Sequence, residues 1–138
     1  LPLALLVALQ AFRLPLEVLL HALYDSGDLP VQITWSGLNF DVLTGASAAL
    51  IGGLFLLGRT EPPRWLVLAW SVLGSILLAI VVGIAVLSAP TPLRRFLNEP
   101  PVLLAFHVPW TWIVSVHVWT ALVGHGVIFR ALWSRRAA

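Results

Sequence analysis

Four apolar stretches, each close to 20 residues or longer, constrain this chain more than any other feature. They run from about Leu3 to Tyr24, Phe40 to Gly58, Trp65 to Ser88 and Val108 to Trp133. A hydrocarbon core of about 30 Å is crossed by about 20 helical residues. Lipid offers no hydrogen bonds, so a spanning backbone must satisfy itself, as a helix or a closed barrel. The alternation with period two that marks a barrel strand is absent. The expected fold is therefore all-α: a polytopic transmembrane helix bundle of about four spanning helices, with residues 1–138 forming one transmembrane domain. Composition agrees, with 59% hydrophobic residues and 10% charged against about 25% charged in soluble domains. A soluble enzyme, a disordered chain and a nucleic-acid binder are excluded on that ground.

The connections give an expected orientation. Residues 25–39 are polar and hold two Asp, whereas 59–64 hold Arg59 and Arg64, and the end of the chain holds Arg130, Arg135 and Arg136. With both termini cytoplasmic, five Arg lie inside against Arg94 and Arg95 outside, the arrangement the positive-inside rule favours. Arg94 and Arg95 read either as solvated heads on a short interfacial helix, Leu93–Leu97, or as an anion or lipid-headgroup contact. Trp65, Trp110, Trp112 and Trp133 fall near the proposed interfaces, as an aromatic belt requires. Trp112, Trp119 and Trp133 share one helix stripe, read as a lipid-facing or packing surface. The absence of Cys removes disulfides and thiolate metal sites. The absence of Met raises the expectation that the chain begins after processing or lacks an N-terminal part. Leu3–Leu9 has no basic flank or small-residue cleavage site and is not read as a signal peptide.

Small residues suggest how helices meet. Gly45, Ala49 and Gly53 recur every four residues on the second stretch, and Ser75, Ala79 and Gly83 on the third. Such spacing lets backbones approach closely, and with the short 59–64 turn it predicts a tight hairpin of these two helices.

The most informative polar feature is on the first stretch. Gln10, Arg13, Glu17, His21 and Tyr24 fall within an arc of about 80°, and apart from Pro15 the rest of the segment is apolar. A charge at the bilayer centre costs about 2.5–3.5 kcal/mol on insertion scales, so such a stripe must face protein or water. Arg13–Glu17 and Glu17–His21 are i,i+4 pairs, and Pro15 frees the carbonyl of Ala11. The stripe is either a buried pair that fixes register or the lining of a proton, ion or ligand path. A third geometry breaks the chain at Arg13-Leu14-Pro15 and lets Arg13 snorkel. At the start of the second stretch, Asn39 or Asp41 can cap the helix, while Asp41, Thr44 and Ser47 continue a polar face toward the first-helix stripe. Trp35 and Gln32 could form a lid.

His117 and His125, eight residues apart on the fourth stretch, are about 12 Å apart in rise and cannot chelate one ion together. Each is instead a candidate axial ligand for haem or chlorophyll, one pairing with His21 for a bis-His haem, or else a packing histidine. Gly124 and Gly126 flank His125 and leave room for a macrocycle. His107 is interfacial. Neither a metal site nor a required cofactor is read from the sequence, and HExxH, GxSxG, P-loop and GxGxxG motifs are absent, so an enzyme is not expected. Ser71, Ser75 and Ser88 have no evident base.

Gln10-Ala11-Phe12-Arg13 with Glu17, the loop ending Asn39-Phe40-Asp41 with Gly45, and more weakly the His125 segment resemble small uncharacterised multi-pass bacterial inner-membrane proteins. The resemblance covers roughly residues 10–50. It implies an inner-membrane location and at least one further helix before Leu1, and it brings no chemistry. Three functional classes stay open. The leading one is a non-catalytic structural or accessory subunit packing within a larger membrane complex, with the lipid bilayer and other membrane subunits as partners. Another is a small transporter, channel or sensor using Gln10, Arg13, Glu17, His21 and Asp41. The third is a haem- or (bacterio)chlorophyll-associated component of an electron-transfer or photosynthetic complex.

Overall fold

A computed structural model describes residues 1–134; Arg135 and Arg136 of the basic tail lie outside the described residues. The chain is 68% helix and, among the described residues, has no strand. We number the helices α1 (Leu3–Asp25), α2 (Val42–Leu57), α3 (Arg64–Ser88) and α4 (Ile113–Ser134). α1, α3 and α4 are long and apolar enough to cross a membrane, which makes this a membrane-spanning helical protein. α2, with 16 residues, reaches only about 24 Å.

α1 is continuous where a break at Arg13-Leu14-Pro15 had been an option. Pro15 has no N–H for the carbonyl of Ala11, and the turn before it, Gln10–Phe12, tightens to a 3₁₀ turn. The axis carries on, and Arg13 is 1% exposed instead of snorkelling. α1 ends in a Schellman turn: Asp28 N–H reaches the Leu23 carbonyl and Gly27 N–H the Tyr24 carbonyl, with Gly27 at φ +83°, a conformation that favours glycine. At its other end the Leu3 N–H donates to Glu61 Oε2 of the α2–α3 turn at 2.9 Å.

The expected tight hairpin of α2 and α3 does not form; the close approach is between α2 and α1. A Cβ on Gly52 would lie 2.5 Å from the Cα of Ala8, and one on Gly45 would lie 2.9 Å from the backbone nitrogen of Leu14. Ala48, between them, is fully buried. Gly45, Ala48 and Gly52 thus form the contact stripe, one helix face round from the expected one. Ala49 is exposed, and Gly53 and Gly83 border open space.

The expected helix Leu93–Leu97 is also absent. The segment is extended there, and the N–H groups of Arg95 and Phe96 both donate to the Leu87 carbonyl, satisfying an end of α3 that would otherwise be orphaned. The segment folds back and delivers Val102 and Leu104 to the core. α4 begins at Ile113 rather than 108; its first six residues, Ile113–Val118, form a π-helical turn.

The interior is layered. One apolar cluster joins Leu3, Leu6, Val7, Ala48, Val67, Trp70, Ile128 and Leu132. A second joins Leu20, Leu23, Leu29, Ile33, Ile84, Val102, Leu104 and Ile113. All four helices supply the first layer. Between the two lies a layer of buried polar side chains.

Candidate functional site

Each helix contributes to that polar layer. α1 gives Gln10, Arg13 and Glu17; the loop into α2 gives Asn39; α2 gives Asp41 at its mouth and Thr44; α3 gives Ser71; and α4 gives His125. All are at most 3% exposed. Burial of this kind is tolerable only if hydrogen bonds and opposite charges replace water, and for most of these groups they do. Arg13 grips Asp41 with two parallel contacts, Nε to Oδ2 at 2.8 Å and Nη2 to Oδ1. This is the bidentate geometry that suits a guanidinium to a carboxylate. Its third nitrogen, Nη1, donates to His125 Nε2 at 3.1 Å. Since Nε2 accepts, a neutral ring carries its hydrogen on Nδ1, which donates to Ser71 Oγ at 2.8 Å. Trp70 packs against the same ring at 5.5 Å between centroids. Gly74 makes room: a Cβ there would lie 2.8 Å from His125 Cε1.

Glu17 does not pair with Arg13 through the expected i,i+4 contact. Its Oε2 accepts from Asn39 Nδ2 at 2.7 Å. The same amide donates to the Ile33 carbonyl at 2.9 Å, while Asn39 Oδ1 accepts from the Asp41 N–H at 3.0 Å. Asn39 is thus a bracket that fixes Glu17 and Asp41 together as well as serving the α2 start. Among the described residues the side-chain hydrogen bond to Glu17 falls on Oε2. Glu17 is also among the residues that line a cavity of about 70 Å³ between α1, α3 and α4. The cavity walls are apolar (Leu16, Leu20, Leu78, Val81, Val82, Ala85), with Arg13 and Asp41 beside Glu17 and with Phe12 and His117 on one side. The Phe12 and His117 rings lie 6.1 Å apart. His117 sits on the π-helical turn, and its Nδ1 donates to the Trp112 carbonyl at 3.2 Å.

Other candidates fall elsewhere. His21 leaves the layer: its ring stacks under Trp35 at 4.1 Å and 16°, and its Nε2 is 4.0 Å from Asp25. Trp35 therefore does lie over the first-helix stripe, whereas Gln32 turns away to donate to Ser88 Oγ. Arg94 spends its guanidinium inside its own loop, on the carbonyls of Phe96 and Asn98 and on Glu99 at 2.9 Å; Arg95 is exposed. Trp112, Trp119 and Trp133 are exposed, as a lipid-facing stripe would be. Ser71, noted in the sequence only as a serine without a base, proves to be the partner of His125.

The fit of a tetrapyrrole can be tested on the histidines. An axial ligand needs a free ring nitrogen and space above it. Both nitrogens of His125 are engaged, and the gap expected beside Gly124 is filled by the Gln10 amide, whose Nε2 donates to the Ala121 carbonyl at 3.5 Å. His125 does not fit the role. His117 keeps Nε2 for another partner, but about 70 Å³ beside it is far below the volume of a macrocycle. Among the described residues no three His, Asp or Glu side chains come together as a metal-ligand set. Comparison with protein-family models, with curated proteins and with solved structures gave no match.

Proposed function

We propose that this protein is a small transporter or sensor of the bacterial inner membrane, both termini cytoplasmic, that works through a buried intramembrane site centred on Glu17. One observation carries the reading: Glu17, 2% exposed and hydrogen-bonded through Oε2 to Asn39, is an acid buried in the bundle beside a small cavity. Arg13 and Asp41 neutralise each other, so Glu17 is the acid without a dedicated cation, and its proton is the one whose gain or loss changes the charge of the layer. Intramembrane carboxylates with no structural counter-ion mark proton and substrate sites. Apolar layers on both sides of the site disfavour an open channel and suit a carrier or sensor that binds before it responds. The Arg distribution supports the orientation, which requires the shorter α2 to cross as a fourth span beside α1.

The test is flux or response in proteoliposomes under an imposed pH gradient. Wild-type protein should show pH-coupled transport that Glu17→Gln abolishes; equal flux in the two proteins would reject Glu17 as the site. A second reading, an accessory subunit, is favoured by α2. At about 24 Å it is shorter than the bilayer core, with Leu43, Leu50, Leu54 and Leu57 exposed along it, as suits a helix sheltered by a partner chain. Native mass spectrometry of gently solubilised membranes separates the two, since the subunit reading requires other chains to be retained.

A further inference from the structure

Building on the Glu17 reading, we infer that His21 and Trp35 form a pH-responsive latch on the site: a charged His21 holds the loop 31–39 shut beside Glu17, and a neutral His21 releases it. The ring stack is the fastening. The two rings lie 4.1 Å apart and 16° from parallel. His21 comes from the polar stripe of α1, one turn beyond Glu17, and Trp35 comes from the loop. Histidine is the side chain whose charge changes between about pH 5 and pH 8. A positive charge over an indole face is attracted to the ring, a contribution that a neutral imidazole lacks. Asp25, 4.0 Å from His21 Nε2, attracts the same charge. Closure is therefore stronger when His21 is charged. His21 Nδ1 is buried without a hydrogen-bond partner among the described residues, in the neutral and the charged ring alike, so it weighs on closure in both.

The loop carries the change to Glu17. It is tied to itself: the Thr34 N–H reaches the Val31 carbonyl at 3.0 Å, and the N–H groups of Gly37 and Asn39 reach the Thr34 carbonyl at 3.0 and 3.2 Å. A Cβ on Gly37 would run into the Val31 carbonyl, so the two limbs of the loop touch. Such a unit moves as one piece, and its last residue, Asn39, holds Glu17 Oε2 at 2.7 Å. On the α3 side the loop is fastened by Gln32, whose amide donates to Ser88 Oγ at 3.1 Å; on the α1 side, beyond Asn39, it is fastened by the stack. The loop itself has no ionisable side chain, so a response to pH must come from what it touches. The groups around His21 on α1 are Glu17, Tyr24, with rings 5.7 Å apart, and Asp25. From the segment after α3, Arg94 is paired with Glu99, and His107 lines a separate pocket with Asp28. With both termini cytoplasmic the latch faces the outside, so external pH sets how firmly the bracket on Glu17 is held. Histidine protonation is a local charge change of the kind that biases two-state elements.

The test is hydrogen–deuterium exchange of the full chain in detergent, read by mass spectrometry at about pH 5.5 and about pH 8, with each rate divided by the intrinsic rate at that pH. Exchange of this kind reports local opening. The loop 31–39 should be about fivefold more protected at the lower pH, the factor that one cation–π contact carries. His21→Gln should remove the difference, and Trp35→Leu, which keeps an apolar lid without an indole face, should remove it too. Glu17→Gln, which keeps an acceptor for Asn39, should retain it. Equal protection at the two pH values in wild type, or an unchanged ratio in His21→Gln or Trp35→Leu, overturns the inference. A ratio lost in Glu17→Gln but kept in His21→Gln overturns it as well, because the proton would then be that of Glu17. A latch without pH-coupled flux would leave this inference standing and remove the transport reading; Glu17-dependent flux with loop protection indifferent to pH would do the reverse.

Discussion

Replacing Asp41 by Asn is the sharpest perturbation of the buried layer. Asn keeps the size and one acceptor but removes the negative charge that Arg13 grips with two nitrogens. Arg13 is 1% exposed, so its charge cannot turn to water, and its remaining partner, His125 Nε2, is neutral as an acceptor. Breaking a buried ion pair from one side costs about 3–5 kcal/mol, because the surviving charge is left uncompensated. At about 4 °C per kcal/mol for a chain of this length, the apparent Tm in detergent should fall by about 12–20 °C. A hydrophobic replacement of both partners, Arg13→Met with Asp41→Leu, should recover much of that loss, since a well-packed apolar pair can match a buried ion pair. The assay is a double-mutant cycle followed by thermal denaturation, in which residues in contact couple by about 0.5–3 kcal/mol. If Asp41→Asn melts within about 2 °C of wild type, or if the two single changes simply add, the pair is not what holds this layer together.

The helix contacts predict a contrast between neighbouring glycines. Gly52→Leu should lower the apparent Tm sharply, because a Cβ there meets the Ala8 backbone, whereas Gly53→Leu should be tolerated, with open space on that side. His125→Phe should destabilise by about 1–3 kcal/mol, leaving Arg13 Nη1 and Ser71 without their partner, and haemin added to wild-type protein should produce no His125-dependent Soret band. Arg94→Ala should change stability by less than about 1 kcal/mol, since its Glu99 partner is 71% exposed and exposed pairs contribute little; urea or thermal denaturation reads this directly.

How much of this was legible in the sequence varies by residue. Span length and apolar runs located all four helices, because lipid forces the backbone to close its own hydrogen bonds. The polar face of α1 was legible for the same reason: a charge in an apolar run must turn inward. Its partners were not. Periodicity on one helix suggests i,i+4 pairs, yet Arg13 reaches across to Asp41, 28 residues away, and to His125, 112 residues away. A single sequence holds no information on which of several inward polar groups meet. Asn39 was read as a cap because of where it stands, and only its position beside α1 makes it the bracket of Glu17. The small-residue stripe was misassigned because Ala49 and Ala48, or Gly53 and Gly52, differ by one position, about 100° of helix, and composition alone does not say which side faces a neighbour. Gly74 carried a usable hint, a small residue one turn beyond Ser71 on the same face, where a ring can fit.

The proton on Glu17 is the central claim, and infrared difference spectroscopy upon a pH jump tests it most directly. Wild-type protein should lose carboxylic-acid carbonyl intensity and gain carboxylate intensity as pH rises, and the component due to Glu17, one of six carboxyl side chains, should be missing from the spectrum of Glu17→Gln while persisting in His117→Gln. A difference spectrum identical in wild type and Glu17→Gln would mean that Glu17 does not exchange its proton, and that the buried layer is a packing device.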